Sequence, residues 1–172
     1  MEFNRLLSSA ISAYGEPELE SNKIETQNLE KQQTINNKNY YLINSLDEID
    51  KWIEEAEEVG EVAVDTETTS LDPHQADLVG ISLCSKIGKA CYIPVGHKSP
   101  KCLKKDAVIK KLKKILEDPS IKKIGQNIKF DFIVFYKCGI TLSSMEDTML
   151  MSYVLDAGKN RHNMDTLSEI HL

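Results

Sequence analysis

Two carboxylates separated by a single residue, Asp65 and Glu67, are the residues in this sequence best placed to do chemistry. They follow Val62-Ala63-Val64, a short apolar run that reads as a strand. Side chains alternate along a strand, so both acids project from one face. Two negative charges held side by side repel, and a cation or a shared proton must offset the repulsion. Hard oxygen ligands at this spacing suit Mg²⁺ or Mn²⁺. On these residues alone, a strand ending in a polar turn closed by Asp72-Pro73 fits as well. A third acid, Asp131, ends the segment Gln126-Asn127-Ile128-Lys129-Phe130-Asp131 and opens an apolar run to Tyr136. An acid there is costly unless paired, hydrated or liganded. As an exposed first-turn residue it would only complement the helix dipole.

These side chains need a sheet and helices to bring them together. Tyr40 to Asn44 reads as a first strand. A helix over 46–58 follows, capped by Ser45 with Glu48 placed for a capping box and ended by Gly60. The 62–67 strand comes next. Leu78–Cys84 and Lys89–Val95, joined by a short turn, read as a hairpin, with Pro94 near an edge. Asp106 opens a helix to Leu116 with Val108, Ile109, Leu112, Ile115 and Leu116 inward. Ile121–Ile124 is a short strand expected to lie parallel to 62–67. Asn127 is expected to cap a helix running to Lys137, with Phe130, Ile133 and Val134 inward and Gly139 ending it. Ile140–Leu142 is a candidate last strand, and helices cover 147–155 and 163–172. The pattern implies an α/β fold with a mixed five-stranded sheet covered by helices.

The chain has 172 residues, 41% hydrophobic and 28% charged, enough for one domain with a core. Residues 1–15 hold an amphipathic piece, Phe3 to Tyr14. Residues 16–39 are polar, so 1–39 reads as a linker or disordered arm and 40–172 as the folded domain. No apolar run reaches membrane-spanning length, and no signal peptide is evident. Cys84, Cys91, Cys102 and Cys138 lack metal-knuckle spacing and read as reduced thiols of a cytoplasmic protein. The formal net charge is −6, but its distribution is uneven. Residues 46–61 hold eight acids against Lys51, whereas residues 86–139 hold fourteen lysines against four acids. Such asymmetry can present a basic face to phosphates, or it can be the solvated side of a helix.

Asp65-Thr66-Glu67-Thr68 followed by Ser70-Leu71-Asp72, and Gln126 through Asp131, resemble the first two motifs of the DEDD 3′–5′ exonucleases. Tyr92-Ile93-Pro94-Val95 with His97, Asp147-Thr148-Met149-Leu150 with Ser152-Tyr153, and Gly158 through Leu167 are similar, in order and spacing, to the proofreading domain of bacterial DNA polymerase I. The resemblance covers residues 40–172. Residues 2–18 also resemble the end of that polymerase's preceding 5′-nuclease domain. The resemblance implies an RNase H-like fold and hydrolysis of 3′-terminal nucleotides from single-stranded DNA. It implies two divalent ions, Mg²⁺ or Mn²⁺, with Asp65 bridging them, Glu67 on the inner and Asp131 on the outer. Thr68 and Leu71 would lie against the terminal nucleotide. Gln126, Asn127 and Arg161 would contact phosphates or sugars, with core, cap and surface as their plainer roles. The implied partners are a single-stranded DNA 3′ end and the polymerase and 5′-nuclease domains of a parent chain, with no membrane.

The family also needs a fourth carboxylate in a Tyr-X-X-X-Asp or His-X-X-X-X-Asp pattern. No tyrosine or histidine here is followed by an aspartate at that spacing, and nothing in the spacing supports Asp156 or Asp165 as a substitute. The fold is therefore expected to be C-terminally incomplete, and this chain alone inactive or weak. A non-catalytic module that binds single strands or props up a polymerase is the second reading, and an RNA-trimming relative the third.

Overall fold

The computed structural model describes residues 11–12, 39–98 and 102–172. The amphipathic Phe3–Tyr14 piece lies outside these apart from residues 11 and 12, which are helical, and the expected arm over 16–39 lies outside them apart from residue 39. The strands are β1 (Tyr40–Leu42), β2 (Glu61–Thr68), β3 (Leu78–Lys86), β4 (Lys89–Pro94), β5 (Lys122–Gly125) and β6 (Met145–Asp147). They form one mixed sheet in the order β1-β4-β3-β2-β5-β6. The helices are α1 (Leu46–Val59), α2 (Lys105–Leu116), α3 (Lys129–Lys137), α4 (Thr148–Asp156) and α5 (Met164–His171).

The central pairings follow the expectation. β3 and β4 form the antiparallel hairpin, β2 pairs antiparallel with β3, and β5 lies parallel to β2. β1 adds parallel to β4 but reaches only Tyr92, so Pro94 stands past its end, where no N–H is asked of it. The sheet has six strands rather than five. The sixth is Met145–Asp147, parallel to β5, and not Ile140–Leu142. Ile140 and Leu142 are instead buried in the core from a loop. That loop is tied by Thr141 N–H donating to Glu117 and Ser143 Oγ donating to the Glu117 carbonyl. A three-residue strand containing two acids carries almost no strand signal of its own.

On the covered face, Val62, Val64, Ile81, Leu83 and Ile93 join Ile49, Trp52, Ile53 and Ala56 of α1 and Val108, Leu112, Ile115 and Leu116 of α2 in one buried cluster. Ser45 caps α1, accepting from Glu48 N–H, while the Glu48 carboxylate accepts from Asn44 N–H one residue earlier than a capping box predicts. Gly60 ends α1 at φ 79°, a left-handed conformation that glycine adopts without steric cost.

Part of the lysine-rich segment is taken up by ion pairs within the fold. Lys111 and Lys114 of α2 pair with Asp50 and Glu57 of α1, and Lys113 pairs with Glu117. Lys86 and Lys89 converge on the buried Glu55, and Lys89 also lies 4.9 Å over the Trp52 ring. Burial alone would push the Glu55 carboxyl up, but hydrogen bonds from Lys89 and Lys86 hold it below its usual value. Four lysines of the basic segment, Lys86, Lys89, Lys111 and Lys114, are thus counterparts of the acidic helix. All four cysteines are free thiols.

Candidate active site

Strand alternation does what the sequence requires of it: Val62, Val64 and Thr66 are buried, while Asp65 and Glu67 stand exposed on the other face. Asp131 reaches the same strand by another route. β5 pairs with β2 only as far as Ala63, then leaves at Gly125. This frees the Thr66 N–H at the sheet edge, and α3 enters the gap. Asp131 Oδ1 accepts from that N–H at 2.9 Å and from the Thr66 hydroxyl at 2.6 Å. Asp131 is 3% exposed, which overturns the exposed first-turn role. Its other oxygen, Oδ2, receives no hydrogen bond from another described residue. Thr66 is a residue that sequence reasoning missed, because its partner lies 65 positions away and leaves no local trace.

The three acids have no cationic partner among the described residues, whose ion pairs all involve other carboxylates. Burial, and then the charge of Glu67, push the Asp65 carboxyl up. Burial raises Asp131 to about 6, with Asp65 adding to the effect and the Thr66 hydrogen bonds opposing it. An all-oxygen donor set carrying uncompensated negative charge fits a hard divalent cation. No three acid, histidine or cysteine side chains among the described residues converge closely enough to hold an ion as they stand. The donor set fits the ion, and its closure is left to rearrangement or to further ligands.

Asn127 is not the cap of α3. It sits at φ 57°, in the left-handed region that asparagine tolerates, and Ile128 occupies the cap position. The capping is done from outside by the buried Asp147, whose carboxylate accepts from Asn127 N–H at 2.9 Å and Ile128 N–H at 3.1 Å. Asp147 also accepts from Met149 N–H at 2.9 Å as the N-cap of α4. One carboxylate therefore starts two helices and fixes the turn that aims Asp131.

Gln126 is tied within the protein: its Nε2 donates to the His162 carbonyl at 2.7 Å and its Oε1 accepts from Thr148 at 2.6 Å. It borders, with Asp65, Ser82 and Met164, a hollow of about 260 Å³. Arg161 is exposed, with no hydrogen bond or ion pair among the described residues. Thr68 and Leu71 line a hollow of about 430 Å³ with Glu67 and Phe130, a residue the sequence pattern placed in the core stripe. Leu71 is 97% exposed, which excludes the core role. Leu71→Ser is expected to leave the unfolding free energy within about 0.5 kcal/mol of wild type in urea titrations. A larger loss would return it to the core. A bigger apolar groove of about 790 Å³ lies between α3 and α4, lined by Phe132, Met145, Leu150, Met151 and Val154. It lacks convergent polar groups, and its buried acid, Asp147, is taken by backbone N–H groups.

Residues 40–172 match the family model described as 3′–5′ exonuclease. The chain is 43% identical over 152 residues to DNA polymerase I of Rhizobium leguminosarum, covering 76% of this chain and 15% of that protein. It therefore spans about a seventh of the length of such relatives. Among solved structures, NrnC of Brucella melitensis with bound Mg²⁺ is similar at TM-score 0.55 and 27% identity, covering 73% of this chain and 56% of that one. The same protein has also been solved bound to pGG. RNase D of Escherichia coli, at TM-score 0.61 and 22% identity over 77% of this chain and 33% of that one, shares the fold.

Proposed function

This chain belongs to the 3′–5′ exonuclease family, and from that premise we propose that residues 40–172 are the proofreading exonuclease domain of a DNA polymerase I, acting on a single-stranded DNA 3′ end in the cytoplasm. The observation that carries the reading is the buried Asp131 bonded to Thr66, the residue between Asp65 and Glu67 on one strand, with all three acids lacking a cationic partner among the described residues. Asp65, Glu67 and Asp131 are the residues that would hold two divalent ions, Mg²⁺ or Mn²⁺. Such ions, when bound, lower the pKa of water and neutralise charge on a phosphodiester.

The chain's own residues supply the placement. Thr66 holds Asp131 by one oxygen and leaves the other without a hydrogen bond from another described residue. Leu71 and Phe130 offer apolar surface to the terminal base beside Thr68, and stacking of this kind tolerates any base. Asn127 and Arg161 are exposed and fit contacts to the phosphate backbone, while Gln126 fixes the loop that carries Arg161. The 5′-nuclease and polymerase domains of a parent chain belong to the same proposal.

No Tyr-X-X-X-Asp occurs among the residues present, so the chain by itself is expected to bind Mn²⁺ yet release at most traces of nucleotide from a 5′-labelled single strand. Asp65→Ala should weaken Mn²⁺ binding at least tenfold. Rapid nucleotide release that Asp65→Ala abolishes would overturn the expected inactivity. Mn²⁺ binding that is absent, or indifferent to Asp65, would overturn the metal site. The failure of three ligands to converge favours a second reading, a non-catalytic single-strand binder. That reading predicts salt-sensitive DNA binding unchanged by Asp131→Ala. Comparing DNA and RNA 3′ ends in the same assay decides between the polymerase branch and an RNA-trimming relative.

A further inference from the structure

The block Tyr92-Ile93-Pro94-Val95 with His97 has no part in the site as described so far, although it faces it. Tyr92 lies opposite Ser82, and Ser82 lies opposite Asp65, so the three share one face of the sheet. The phenol leans over Gly80, where a Cβ would fall 1.8 Å from its oxygen; only glycine leaves that space. Gly80 in turn stands directly opposite Glu67. Opposed Cβ positions are about 5 Å apart, so the Tyr92 hydroxyl lies roughly 3–7 Å from the Glu67 Cβ, within reach of its carboxylate or one water away.

We propose that Tyr92, braced by His97, is a positioning residue for the Glu67 carboxylate. The brace is built into the fold. Tyr92 Oη lies 2.7 Å from His97 Nε2, with the rings edge-on at 5.7 Å. The turn carrying His97 is clamped to β3: Val95 and Gly96 N–H both donate to the Val79 carbonyl, at 2.9 and 2.8 Å. A Cβ at Gly96 would come within 2.7 Å of the Leu78 carbonyl, so that approach also needs glycine. Cys102 donates its thiol to the His97 carbonyl. In the His97 tautomer that carries its proton on Nε2 and donates it to the phenol oxygen, the phenol O–H is left to donate toward Glu67. Glu67 has no hydrogen bond of its own among the described residues, so no other group fixes its rotamer. Burial, and next the charge of Glu67, push the Tyr92 phenol up, in keeping with that proximity.

The proposal rests on reading Glu67 as a metal ligand, and the experiment separates the two. Mn²⁺ affinity is measured by electron paramagnetic resonance for wild type, Tyr92→Phe, Glu67→Gln and the double variant, with Asp65→Asn as control. Tyr92→Phe keeps the ring and removes only the hydroxyl. It is expected to raise the Mn²⁺ dissociation constant three- to tenfold in the wild-type background and less than twofold when Glu67 is already Gln. Equal effects in both backgrounds, or none, overturn the role. If Asp65→Asn and Glu67→Gln both leave Mn²⁺ binding unchanged, the metal reading fails by itself. The positioning role is then decided by urea unfolding in EDTA, where the two substitutions must depart from additivity by at least threefold in the unfolding constant. Additive effects there overturn it.

Discussion

Replacing Lys123 by methionine is expected to cost on the order of 3–5 kcal/mol in urea unfolding, a large part of what a domain of this size possesses. Lys123 is 0% exposed, in a four-residue strand between β2 and the edge strand β6. Its ammonium donates to the carbonyls of Asp118 and Ile121 at 2.6 Å, to Ser143 Oγ at 3.2 Å and more weakly to the Ile115 carbonyl at 3.4 Å. These acceptors gather where α2 ends, and the negative end of a helix favours a cation. Burial pushes the Lys123 ammonium below its ordinary pKa, and the Asp118 charge opposes this. Methionine preserves length and apolar stem but leaves buried carbonyls without a donor, each costing about 1–3 kcal/mol. Alanine adds a cavity and should cost more. A loss for Lys123→Met below about 1 kcal/mol would show that water or backbone movement replaces the ammonium.

Asp131→Asn is expected to stabilise the chain by about 2 kcal/mol at pH 7.5 in EDTA, a gain that vanishes by pH 4. The folded-state carboxyl lies near 6 against an ordinary 3.8. Between those values the folded chain holds the proton more tightly than the unfolded one, so stability falls as pH rises through the window. Above it, the full cost of the buried charge, on the order of 3 kcal/mol, is present. Asparagine removes that charge and keeps an oxygen for both Thr66 donors. Adding Mn²⁺ should reverse the order, because the ion stabilises only the chain that binds it. A stability difference that ignores pH, or a destabilised variant, would contradict this account.

How much of this was legible in the sequence depends on how far apart the partners lie. The acid pair on β2 followed from alternation alone, and the hairpin and parallel β5 from short-range punctuation and an intervening helix. Asp131 announced itself as a charge in an apolar run. What it hydrogen-bonds to did not, because Thr66 carries no signal beyond being buried. Asn127 looked like a cap, since the residue that performs the capping, Asp147, arrives from 20 positions later. β6 was missed because its pairing is imposed by β5 and not by propensity. The lysines of α2 left a phosphate-facing and a solvated reading open, because the acids of α1 that take Lys111 and Lys114 lie far away in sequence. Lys123 was not singled out, for in so short a strand alternation cannot tell a buried lysine from a solvated one.

The early departure of β5 from β2 also has a consequence for how the chain tolerates length changes. Asp131 is docked at a place where the ladder stops, so the number of residues between Gly125 and Lys129 sets its bearing. One extra residue there would turn it about 100° around the axis of α3 and leave the Thr66 N–H without its acceptor. One fewer would pull Asn127 and Ile128 off the Asp147 carboxylate. Surface hairpins such as Ser85–Gly88 can accept insertions, but this connection cannot, and its length is as much a property of the site as the acids themselves.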